Sequence, residues 1–146
     1  MPKGQEALFS SLLCKRYSNP IGLVEHFSGK RFLTEEYIEG TDWSVDAVRF
    51  DGYFRCGCYR SLASNGQGPS LRREIGDNPR LEGYARRLLD AIDYHGVCGF
   101  DFRVDSSGKA YFLECNPRLT GGLSTQLQTG FNIPSILVRK ALGIRM

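Results

Sequence analysis

The sequence reads as α+β with a largely antiparallel sheet, because two strand–turn–strand units flank a helix and a second helix closes the chain. The first unit is Thr41–Phe50, the turn Asp51-Gly52, and Tyr53–Leu62. In it Trp43, Val45 and Ala47 alternate with Ser44, Asp46 and Val48, and Asp-Gly between such runs signals a hairpin. The second unit is Val97–Leu119, two runs rich in aromatic and β-branched residues around Ser106-Ser107-Gly108-Lys109. Between the units Asn78-Pro79 opens a helix expected to reach about Tyr94, with Leu81, Tyr84, Ala85, Leu88, Leu89 and Ile92 as its apolar stripe.

The remaining elements follow from the same signals. Leu8, Phe9, Leu12 and Leu13 at helical spacing predict a helix over Gln5–Tyr17, stopped by Ser18-Asn19-Pro20. A short segment Ile21–Phe27 leads through the turn Ser28-Gly29-Lys30 to a strand over Arg31–Ile38. Ala63–Pro79, rich in Asn, Gly, Gln, Pro and Ser, is the longest expected loop. A loop begins again at Thr120-Gly121-Gly122, and a terminal helix is expected over Ile133–Leu142, ended by Gly143. With 146 residues and no internal repeat, the chain reads as one domain, 1–146.

Composition narrows the function classes. A hydrophobic share of 41% and a charged share of 24% are ordinary for a globular domain. A net charge of +3 suits an anionic ligand and is too small to argue for nucleic acid. No apolar run approaches the roughly 20 residues of a membrane span, and Met1–Glu6 shows no signal-peptide core. Five cysteines without C-x-x-C spacing indicate neither a disulfide framework nor a zinc site, and point to the reducing cytoplasm. Cys56 and Cys58 share a strand face as small buried hydrophobes.

The chemistry concentrates in the second hairpin. If Ser106–Lys109 is the loop, Asp105 pairs with Ala110 and Asp101 falls opposite Glu114. Asn116 joins Glu114 on that face, while Phe100, Phe102, Val104, Tyr111 and Leu113 point into a core. Two carboxylates about 5 Å apart repel, so either one is protonated or a cation lies between them. Asp, Glu and Asn oxygens on one face suit Mg²⁺ carrying substrate phosphates. The alternative is an exposed polar face whose acids Arg103 neutralises. Pro117 ends the strand, and Arg118 just beyond can fork onto a phosphate or carboxylate. A second stretch, Glu35–Asp46, reads as a strand kinked at Gly40, whose free backbone groups can pair a base edge while a nearby acid accepts from hydroxyls; a plain charged connector is the other reading.

Gly99-x-Asp101-Phe102-x-x-Asp105 followed by Tyr111-Phe112-Leu113-Glu114-x-Asn116-Pro117-Arg118 resembles the C-terminal signature of the ATP-grasp superfamily, close to its carbamoyl-phosphate-synthetase-like and carboxylate–amine ligase members. The resemblance implies an ATP-grasp C-terminal lobe, with helices packed on one face of the sheet. It implies that Asp101, Glu114 and Asn116 hold Mg²⁺ (or Mn²⁺) bridging the ATP phosphates, and that Arg118 steadies the γ-phosphate or an acyl phosphate. Glu35–Asp46 resembles the family's hinge: Glu36 and Ile38 would offer backbone to adenine, and Asp42, ahead of Glu39, would take the ribose. Arg60 either faces the triphosphate or is a surface charge, and Arg72 and Arg73 either close over substrate or belong to a solvated loop. His26 and His95 have no partner at ligand spacing, and His95 is expected at a helix C-terminus. Thr120-Gly121-Gly122 either supplies N–H groups to the acceptor or is simply a turn.

The implied activity is ADP-forming ligation of a small-molecule carboxylate to an amine or ammonia. The resemblance covers about residues 5–143, the latter part of a typical enzyme, so the chain reads as a truncated product, as a split partner of a separate N-terminal chain or homo-oligomer, or as a solitary module that binds nucleotide weakly. The rival expectation is a non-catalytic nucleotide-binding remnant or split subunit. A weaker one is an RNA-binding fragment using Arg86 and Arg87, which otherwise form a solvated face.

Overall fold

The computed structural model describes residue 29, residues 36–63, residue 70 and residues 72–145. The expected helix Gln5–Tyr17, the segment Ile21–Phe27 and most of the strand Arg31–Ile38 lie outside the described residues. The end of that strand, Glu36–Ile38, has no regular structure, and the chain bends at Gly40 into the sheet.

β1 (Thr41–Phe50) is the centre of the sheet. It pairs antiparallel with β2 (Tyr53–Ala63) on one side and β4 (Gly96–Val104) on the other. The Asp51-Gly52 turn joins β1 to β2, with Gly52 at φ +69°, a conformation glycine adopts without a Cβ clash. β3 (Arg72–Ile75) adds to the outer edge of β2, and β5 (Ala110–Asn116) to the outer edge of β4, giving the order β3-β2-β1-β4-β5 with every pair antiparallel. β3 corrects the expected continuous loop Ala63–Pro79. Arg-Arg-Glu-Ile shows no apolar alternation because it is a charged edge strand, with one side of its ladder facing away from the sheet.

The odd-numbered residues of β1 face α1 (Pro79–Ala91). Pro79 pre-sets the first turn, and the Asn78 side chain accepts from the Leu81 N–H at 3.3 Å. Leu81, Ala85 and Leu89 are buried against Val45, Ala47, Cys58, Cys98, Phe100 and Phe102. Removing one such leucine side chain costs about 2–5 kcal/mol. The helix stops three residues short of the expected Tyr94, since Ile92 faces solvent and Tyr94 turns back to donate to the Val97 carbonyl. His95 accordingly lies beyond the helix, between Asp51 and Asp93. Arg86 and Arg87 are exposed and lie over the rings of Phe54 and Tyr84.

The fold class stands as read, but helices cover both faces. Val48 and Val97, on the even side of β1, pack with Phe131, Ile133 and Ile136. The last two belong to α3 (Ile133–Ala141), capped by Asn132 accepting from Ser135 N–H. The buried run Val45–Val48 is the trace of this two-sided cover. Before α3 lies a short α2 (Leu123–Gln128), hidden from sequence reading because Leu-Ser-Thr-Gln-Leu-Gln has no apolar stripe and turns a glutamine inward. Among the described residues no helix is long and apolar enough to cross a membrane.

The β4–β5 hairpin departs from its expected register near the turn. The Asp105 carboxylate accepts from the N–H groups of Ser107 and Lys109, so the loop is one residue longer and Val104, not Asp105, pairs with Ala110. A bulge then inserts Leu113, and Asp101 pairs with Glu114 as expected. Three orientations change in consequence. Leu113 is 50% exposed instead of buried, while Phe112 packs edge-on against Phe102 at 5.9 Å. Tyr111 pairs with Arg103 on the acid side and donates to Asp105.

Candidate metal and nucleotide site

The face of the sheet opposite α1 carries two polar rows across three strands. Ser44, Asp101 and Glu114 pair in one; Asp46, Gly99 and Asn116 pair in the next. Ser44 donates to Asp101 Oδ1 at 2.6 Å. The Asn116 amide lies between the carboxylates, donating to Glu114 Oε1 at 2.8 Å and Asp101 Oδ2 at 3.4 Å. Burial pushes the Asp101 carboxyl up to about 6; the Ser44 bond opposes the shift and the Glu114 carboxylate adds to it.

Among the described residues no Arg, Lys or His lies within ion-pair distance of Asp101 or Glu114. Arg103 pairs with Asp42 at 2.5 Å instead, so it does not neutralise the hairpin acids. The two carboxylates and the Ser44 hydroxyl offer hard oxygen donors, and the Asn116 amide turns its nitrogen to the acids and its oxygen to Arg118. Oxygen donors of this kind fit Mg²⁺ or Mn²⁺ and not a soft ion. Among the described residues no three His, Cys, Asp or Glu side chains gather into a cage. The set therefore suits an ion that takes its other ligands from water and phosphate.

Arg118 is exposed beside this set. Its Nη2 donates to Asn116 Oδ1 and its Nη1 to the Leu119 carbonyl, both at 3.1 Å. Asp42 lies on the same face as Ser44 but is engaged by Arg103, which also donates to the Ile38 carbonyl at 3.0 Å. Glu36 is exposed just before this contact. Arg60 is not brought to the site: it pairs with Trp43 on the α1 side of the sheet and forms an ion pair with Glu74.

Sequence reading missed a buried network behind Arg118. Asp46, 2% exposed, accepts from Thr120 Oγ1 at 2.6 Å and from Gln126 Nε2 at 3.3 Å. Burial raises its carboxyl above the ordinary aspartate value, and those two bonds and the Arg73 charge offset only part of the rise. Arg73 lies over the Tyr59 ring and donates to the Gly121 carbonyl at 2.7 Å. Burial and the Asp46 charge raise the Tyr59 phenol, against hydrogen bonds with Ser44 and Thr120. The available signal was an acid at the centre of an otherwise apolar buried run.

The family model for ATP-grasp in the biosynthetic pathway with Ter operon matches residues 28–146. This chain belongs to that ATP-grasp family. Its fold is also that of solved ATP-grasp-type structures. A biotin carboxylase–ATP-analogue complex from Campylobacter jejuni is 25% identical, with a TM-score of 0.61 over 77% of this chain and 27% of its own. The biotin carboxylase domain of 2-oxoglutarate carboxylase from Hydrogenobacter thermophilus, solved with MgADP and bicarbonate, is 25% identical at a TM-score of 0.57, again over 77% and 27%. D-alanyl-alanine synthetase A from Vibrio cholerae shares the fold at 16% identity and a TM-score of 0.56, over 72% and 38%. The chain thus spans between a quarter and two-fifths of these proteins. No curated protein matches its sequence.

Proposed function

We propose that this ATP-grasp chain forms the Mg²⁺- and nucleotide-binding half of an ADP-forming ligase that joins a carboxylate to an amine or ammonia. The observation that carries the reading is the acid pair: Asp101 and Glu114, directly opposed on one sheet face with Asn116 between them and, among the described residues, no cationic side chain paired to either. Held so, the two carboxylates lower the energy of a divalent ion, which would offset charge on the phosphates. Asn116 would present its oxygen to the ion by a half-turn of its amide, releasing the bond from Arg118. Arg118, exposed and one proline beyond, would then be free to hold the transferred phosphoryl oxygens.

Asp42 would take the ribose and the Glu36–Ile38 backbone the adenine edge; Arg103 would orient Asp42 through their ion pair. Nothing in the set is a general base, and phosphoryl transfer of this kind proceeds by positioning and electrostatics. The free thiols of Cys56, Cys58, Cys98 and Cys115 suit a reducing, cytoplasmic setting.

Carboxylate activation is tested by trapping. With ATP, Mg²⁺ and a panel of carboxylates, hydroxylamine should collect a hydroxamate from the acyl phosphate as ADP is released. A second reading is a non-catalytic nucleotide-binding remnant or a split subunit that needs a partner chain. That reading predicts Mg²⁺-dependent nucleotide binding with no ADP release from the chain alone.

A further inference from the structure

We propose that Asp46 is a positioning residue: from the buried centre of β1 it fixes the Arg118–Gly122 loop, and hence the Arg118 guanidinium, relative to the Asp101–Glu114 pair. The role of Arg118 rests on the function proposed above; the anchoring does not.

Thr120 Oγ1 is the joint. It donates to Asp46 Oδ1 and accepts the Gly122 N–H at 3.0 Å, so one hydroxyl ties both ends of a tight turn to β1. The turn lies so close that a Cβ on Gly122 would come 2.4 Å from Asp46 Oδ2 and 2.2 Å from Tyr59 Oη. A Cβ on Gly99, under the same loop, would come 2.2 Å from the Thr120 methyl. Glycine at both positions is what the approach demands.

Two further strands secure the loop. Gln126 of α2 joins Asp46 Oδ2 to the Gly57 carbonyl on β2, and Arg73 of β3 holds the Gly121 carbonyl. Tyr59 on β2 is the ladder partner of Ser44, which donates to Asp101. The metal-side carboxylate and the loop that carries Arg118 are therefore both tied to β1, Asp101 through Ser44 and the loop through Asp46.

The test compares Asp46→Ala, Thr120→Val and Thr120→Ser by amide hydrogen exchange and by affinity for Mg²⁺ with ADP and with the non-hydrolysable β,γ-imido analogue of ATP. Thr120→Val keeps the side-chain volume and removes only the hydroxyl, so it remains informative if Asp46→Ala does not fold. Exchange at Gly121, Gly122 and Leu123 should quicken roughly tenfold in Thr120→Val, the scale of one hydrogen bond to a charged group, with β4 unchanged. Affinity for the ATP analogue should fall while that for ADP holds, and Thr120→Ser should restore both readouts. Unchanged exchange in Thr120→Val, or equal loss for both nucleotides, overturns the proposal. If the wild-type chain binds neither nucleotide, the functional reading fails, and the exchange arm alone decides the anchoring.

Discussion

Asp101 faces Glu114 across the hairpin because a bulge leaves Leu113 out of the β4–β5 ladder. The five-residue turn sets pairs Val104–Ala110, Arg103–Tyr111 and Phe102–Phe112, which continued would place Leu113 opposite Asp101. That register sets Phe112 against Phe102, and the bulge then returns Glu114 to the acid face. Deleting Leu113 would let the ladder run without interruption and still bring Glu114 opposite Asp101. The deletion variant is expected to fold and to keep Mg²⁺-dependent ADP binding, measured by calorimetry.

Acidity links the same pair to stability. Burial holds the Asp101 carboxyl up at about 6, above the ordinary 3.8 of an unfolded aspartate. A raised carboxylate favours the neutral form in the fold, so its contribution is complete below about pH 4 and is lost as pH rises through about 6. The metal-free protein should melt at progressively lower temperature across that window. Asp101→Asn should flatten this decline, and a pH profile identical to wild type would contradict the cause given.

The two faces of the sheet predict contrasting variants. Arg60 lies on the α1 side with Glu74, so Arg60→Ala should leave Mg²⁺–ATP affinity within about twofold. Asp42 shares the acid side, and Asp42→Asn should weaken ADP roughly tenfold while leaving Mg²⁺–tripolyphosphate unaffected. Competition calorimetry separates the sugar contact from the phosphate contact.

Gly122 tests how tightly the loop is set. A Cβ there would meet Tyr59 Oη, Tyr59 Cε1 and Asp46 Oδ2, all nearer than 3 Å. Gly122→Ala should cost about 1–3 kcal/mol, the scale of overpacking, in denaturant unfolding. Gly83→Ala, with open space around its Cβ on α1, should be neutral or stabilising.

The hairpins and α1 were legible because their signals are local: alternation in β1, Asp-Gly at its turn, Asn78-Pro79 at the helix start, a motif of fixed spacing in β4 and β5. What escaped depends on distant partners. β3 is recognisable only beside β2, and α2 only by the inward bond of Gln126. The opposition of Asp101 and Glu114 was read from a turn one residue too short, and the bulge at Leu113 restored it. Asp46 was visible only as an acid among apolar residues; its purpose lies in Thr120, 74 residues away in sequence.

The most direct measurement is titration of Mn²⁺, followed by its paramagnetic resonance, into the protein with ADP, for wild type, Glu114→Gln and Asp101→Asn. Wild type should bind the ion in a nucleotide-dependent manner, and each variant should weaken that binding at least tenfold with its fold intact. Equal Mn²⁺ binding in all three proteins would contradict a divalent ion shared by Asp101 and Glu114.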